Sequence, residues 1–154
     1  MKAVIKSVFV MIFSAGSIFA QGQEDQITEM KYLLEEEKLA KDVYTHFYQR
    51  YNIRIFSNIA SSEQRHMEMV QSLLNKEGET FTPYSEKGRF YDQELQALYD
   101  QLINQGEQSQ RAALEVGKLI EETDIQDLTK ASENTDSDFK KNMLGFTPTS
   151  ILNL

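Results

Sequence analysis

Apolar residues recur at three- and four-residue spacings over most of the chain. Ile27, Met30, Leu33, Leu34, Ala40, Val43, Tyr44, Phe47 and Tyr51 predict a long amphipathic helix over 26–50. After a turn at Tyr51-Asn52-Ile53-Arg54 the pattern resumes with Phe56, Ile59, Ala60, Met67, Val70, Leu73 and Leu74, a second helix over about 55–76 that Gly78 closes. The stretch from Gly78 to Arg89, with Pro83 inside it, reads as a loop. Asp92 is placed to cap a shorter helix through Leu95, Leu98, Tyr99 and Leu102 that stops at Gly106. Ala112, Ala113, Val116, Leu119, Ile120 and Leu128 mark a third long helix over about 107–131, with Ser109 as its cap. Thr135 to Asp138 offers a capping signal for a last segment ending near Gly145, and Pro148 lies beyond it. No segment alternates with period two, and no repeat has a fixed period. The expected architecture is all-α: an up-and-down helical bundle over 27–145 with a short or incomplete final helix and a tail over 146–154.

The amino terminus falls outside that pattern. Lys2 and Lys6 precede the apolar stretch from Val8 to Phe13, and small residues lead to Ala20 before the polar Gln21-Gly-Gln-Glu-Asp25. That order is the layout of a secretory signal peptide, and the apolar part falls short of the ~20 residues that cross a bilayer. Cleavage after Ala20 is expected, with 21–26 as a linker and a periplasmic or extracellular destination. Removing two lysines with the leader takes the net charge from −8 to −10. Such a field repels phosphate backbones and anionic lipid heads, so nucleic acid and membrane surfaces are excluded as partners. With Cys 0, any metal must be held by carboxylate, imidazole, carbonyl or water.

Within the helices a few polar side chains interrupt the apolar stripes. Glu37 lies three and four residues after Leu34 and Leu33 and three before Ala40, so its carboxylate points inward. Glu63 and His66 interrupt one face of the second helix between Ile59 and Val70. On the third long helix Asp124 shares the stripe of Ala113, Gly117, Ile120 and Leu128, and Glu121 lies at its edge. Glu35, Glu36, Lys38, Glu115 and Glu122 read as solvated, Met67 and Met69 as packing, and Tyr44 and Tyr48 as core aromatics. Tyr44 and Tyr48 have hydrogen bonding to ligand carboxylates as the other reading. Burying an unpaired carboxylate costs several kcal/mol, so the inward acids need protons, an ion-pair partner or a cation. One carboxylate with a Glu-x-x-His pair is half of the dimetal arrangement of ferritin-like bundles. His46, nine residues after Glu37, faces away, which leaves one imidazole for the site.

The strings Glu35-Glu-Glu-Lys-Leu-Ala-Lys-Asp-Val-Tyr44, Ile55-Phe-Ser-Asn-Ile-Ala-Ser-Ser-Glu-Gln-Arg-His-Met67 and Ala113-Leu-Glu-Val-Gly-Lys-Leu-Ile-Glu-Glu-Thr-Asp-Ile-Gln-Asp-Leu128 resemble the bacterial family known as domain of unknown function 2202. That family is similar in fold to rubrerythrins and bacterioferritins, whose first helix carries a ligand glutamate three before an alanine and seven before a tyrosine. Glu37, Ala40 and Tyr44 match that spacing. The resemblance implies a carboxylate-bridged iron centre with Glu37, Glu63, His66, Glu121 and Asp124 as metal ligands. Relatives carry a further histidine on a last helix, which the stretch from Asn142 to Leu154 lacks, so a symmetric two-metal centre is not expected.

Two functional expectations follow. The first is an exported metal-binding protein holding one or two iron or manganese ions, with oxidase- or peroxidase-like redox turnover. The second is a non-catalytic helical interaction or structural module that has lost its metal. A carboxyl terminus shortened relative to a functional parent would expose apolar surface for a second copy, giving a homo-oligomer, unless Phe146, Ile151 and Leu152 fold back over it.

Overall fold

The computed structural model describes the backbone of residues 23–134 and the side chains of 27–123. The expected signal peptide and the last capped segment lie outside the described residues, as does the proposed fold-back of Phe146, Ile151 and Leu152. Four helices follow one another: α1 (Gln23–Tyr51), α2 (Arg54–Lys76), α3 (Gln93–Gly106) and α4 (Gln110–Asn134), with no strand among the described residues. Helix α1 thus includes residues 23–26, expected as linker; Glu24 and Asp25 suit the positive end of a helix, and no Gly or Pro interrupts there. No helix among the described residues is long and apolar enough to cross a membrane.

Helices α1 and α2 form an antiparallel hairpin around Asn52, whose φ of 54° is left-handed. The Asn52 N–H closes α1 on the Tyr48 carbonyl (2.8 Å), and extended Ile53 starts α2. Asp92 caps α3 through the N–H groups of Glu94 and Leu95, and Ser109 Oγ accepts from Ala112 N–H at the start of α4 (3.0 Å). Both caps agree with the sequence pattern.

Val43, Tyr44 and Phe47 of α1 pack with Phe56 and Ile59 of α2, Leu95, Leu98 and Leu102 of α3, and Ala113, Val116 and Ile120 of α4 in one core. A smaller cluster of Leu34, Val70 and Leu74, flanked by Met67 and Phe81, holds the other end of the hairpin. In register along α1 and α2, Glu37, Glu63 and His66 fall between the two clusters.

Gly106 is where α3 meets the fully buried Phe47 ring: a Cβ there would sit 2.0 Å from Phe47 Cζ. Tyr51 Oη also donates to the Gly106 carbonyl (2.8 Å). Gly106→Ala gains at most about 1 kcal/mol of helix propensity but must displace the buried Phe47 ring from its packed position. A net loss of about 1–3 kcal/mol is expected, read from the urea midpoint; unchanged or raised stability would contradict this packing.

The loop 77–92 returns across α1 and is held there by three charged side chains at helical spacing. Glu35 accepts from Tyr91 N–H (2.8 Å) and Asp92 N–H (3.0 Å). Asp42 accepts from Gly88 N–H (2.9 Å), where φ is +75°. Lys38 pairs with Asp42, donates to the Glu86 carbonyl (3.0 Å) and lies over the Phe90 ring. All three are buried, which corrects the expectation that Glu35 and Lys38 are solvated. A charge run is solvated on a helix with one covered face; α1 is covered by α2, α3 and this loop together. Glu115 and Glu122 are exposed, as expected.

Candidate metal centre

One Glu63 carboxylate oxygen, one Glu37 carboxylate oxygen and one His66 ring nitrogen all lie within 4.8 Å of one another. His66 Nδ1 is the point of convergence, 2.9 Å from Glu63 Oε2 and 3.2 Å from Glu37 Oε2. Glu63 and His66 are presented from successive turns of α2, and Glu37 comes from the facing turn of α1. Glu63 is 3% exposed, and the Glu37 side chain is the most open of the three at 13%.

The other expected ligands are arranged differently. Glu121 is buried on α4, where Tyr44 Oη donates to its Oε1 (2.7 Å) and lies 3.1 Å from the Gly117 carbonyl oxygen. It senses the charges of Glu63 and His66 but is not one of the three converging groups. Asp124 lies on α4, and its side chain is outside the described residues. Tyr44 is both core and hydrogen-bond donor. Tyr48 is 37% exposed, so its reading as core is corrected: it lies on the outer stripe of α1 with Lys41. His46 reaches Glu107 (2.9 Å) at the far end of α1, away from the trio.

Burial sets the protonation of the trio. Burial alone would lower the His66 pKa, but hydrogen bonds donated by its ring to the Glu37 and Glu63 carboxylates, aided by their charges, hold it at about 10. Burial pushes the Glu63 carboxyl up, and the Glu37 charge pushes it further, against the pull of His66. Burial likewise raises Glu121 to about 7, with Tyr44 drawing it partly back. Without metal, then, a proton on Nδ1 is shared between two carboxylates.

These raised values fix the sign of two pH dependences. Glu121, raised from 4.5 to about 7, and His66, raised from 6.5 to about 10, stabilise the metal-free fold most at low pH; their contributions fade over 4.5–7 and 6.5–10 respectively. Metal must displace the protons held by Glu63, whose carboxyl burial raises to about 7, and by His66, so its affinity should rise with pH through that range. Melting curves from pH 5 to 9 check both: the gap between metal-loaded and metal-free melting temperatures should widen with pH. A narrowing gap would contradict the assignment.

The donor set fits a cation. Donor separations of 2.9 and 3.2 Å match neighbouring ligands at right angles around one ion with bonds of about 2.1 Å. Two carboxylates and a neutral imidazole offset the charge of a divalent ion. Oxygen-rich sets with one nitrogen suit harder ions such as manganese and iron.

Residues 26–143 match the family described as uncharacterized protein domain DUF2202, and the chain belongs to that family. It is similar to an uncharacterized protein of Methanocaldococcus jannaschii, 38% identical over 120 residues that make up 77% of this chain and 63% of the relative. The chain thus spans less than two thirds of that relative's length. No solved structure matches it.

Proposed function

We propose that the chain is a metal-binding bundle of ferritin-like design, exported after removal of a signal peptide, that holds an iron or manganese ion between Glu37, Glu63 and His66. The observation that carries this reading is the convergence of two carboxylates on one imidazole nitrogen between two apolar clusters. Glu37 and Glu63 supply the negative charge, and His66 supplies Nδ1 once its proton leaves. Tyr44 orients Glu121 as a neighbouring carboxylate able to take up a proton or complete a ligand set. A redox-active ion with open coordination positions supplies oxidase- or peroxidase-like turnover of dioxygen or peroxide.

A second reading, a structural module without metal, is favoured by the closed hydrogen bonding of the trio, where a proton takes the cation's place. Metal analysis separates the two. After loading with ferrous or manganous ion and desalting, the proposal expects close to one equivalent retained. Less than roughly a tenth of an equivalent, unchanged in Glu63→Ala and His66→Ala, supports the structural module instead.

A further inference from the structure

The loop 77–92 carries a pair of tyrosine rings that neither the core nor the metal reading uses. Tyr84 and Tyr91 stack with ring centroids 4.0 Å apart and planes at 22°. Phe81 flanks Tyr91 at 5.6 Å, and the Arg89 guanidinium covers the Tyr84 ring at 4.2 Å. The pair is held in place from below, because Glu35 binds the Tyr91 N–H. It is also reachable from outside, since Tyr91 is 50% exposed. At this separation carbons of the two rings are near van der Waals contact, so a small relative movement of the rings suffices for carbon to meet carbon. The chain has Cys 0, so no disulfide can staple this loop.

From this geometry we infer that Tyr84 and Tyr91 form an oxidative modification site, joined by peroxide-driven oxidation into a dityrosine that locks the loop covalently. Each phenol gives up one electron and its hydroxyl proton, and the two radicals join through ring carbons ortho to oxygen. The hydrogen on each joined carbon moves back to oxygen and restores the phenols. Two electrons and two protons leave in total, and hydrogen peroxide takes them as its O–O bond breaks to give two waters. The inference is independent of the metal site.

The test is photo-oxidation of the metal-free full chain at low concentration with a ruthenium sensitiser and persulfate, which accepts the two electrons. Trypsin cuts after Lys87 and Arg89, so Tyr84 and Tyr91 end in separate peptides, 77–87 and 90–111, unless a cross-link joins them. The expected result is a monomeric product lacking two hydrogens, with dityrosine fluorescence and those peptides linked, fragment ions placing the bond on Tyr91 rather than Tyr99. Tyr84→Phe and Tyr91→Phe keep the stacked ring and should each abolish the linked peptide, while Tyr48→Phe should not. Absence of the linked peptide from the monomer, or its persistence in either of the first two variants, overturns the inference.

Discussion

Replacing Lys38 with methionine is expected to destabilise the chain by about 3–5 kcal/mol, a large part of the stability of a domain this size. Methionine fills much of the lysine's volume, so the loss isolates charge from packing. Lys38 is 3% exposed and its partner Asp42 is buried, so the substitution leaves a carboxylate in a low-dielectric site with the Gly88 N–H as its hydrogen-bond donor among the described residues. It also strips the Glu86 carbonyl of its donor. Removing the acid as well, in Lys38→Met with Asp42→Leu, should recover part of the loss but not all, because Gly88 then loses its acceptor. Urea unfolding of the single and the double variant checks this. A loss below about 1 kcal/mol for Lys38→Met would show that the network contributes no more than an exposed ion pair.

The second large effect is on metal affinity. Glu63→Ala and His66→Ala each remove a buried donor that water cannot readily replace between two apolar clusters. Each should weaken manganous or ferrous ion binding at least about 100-fold in calorimetric titration, or about 2.7 kcal/mol. Tyr44→Phe deletes only the hydroxyl that orients Glu121, so a smaller loss, of order 10-fold, is expected. That ordering separates residues that hold the ion from one that positions a neighbour. Equal and small effects of all three would place the cation elsewhere. The ligand variants have a second signature: in metal-free protein His66→Ala removes the proton shared by two carboxylates, so it should lower stability less at pH 9 than at pH 6.

Much of this molecule was legible along the chain. The spacing of Ile27 through Tyr51 and of Phe56 through Leu74 defines α1 and α2 because each helix buries a stripe, and Asp92 and Ser109 mark where α3 and α4 start because their side chains satisfy otherwise orphaned N–H groups. The same phase argument turned Glu37, Glu63 and His66 toward one another. Helical phase does not choose between Glu121 and Asp124, which lie three residues apart along one stripe of the sequence pattern; Tyr44 provides the partner for Glu121, and that contact spans 77 residues of sequence. It missed Glu35, Lys38 and Asp42, although their spacing of three and four along one helix was a signal. A stripe rule assumes a helix with one wet face, and nothing in the local pattern says that a Gly- and Pro-containing loop folds back over the opposite side. Tyr48 fails for the converse reason, lying at a core spacing but at the rim of the α1–α2 contact, where it is 37% exposed.

The most direct test of the metal assignment is electron spin-echo spectroscopy of manganese-loaded protein with nitrogen-15 in its histidines. The account predicts a modulation from one imidazole nitrogen bound to the ion, unaffected by His46→Gln and lost in His66→Gln. A manganese signal with no histidine coupling, or one that survives His66→Gln, would contradict it.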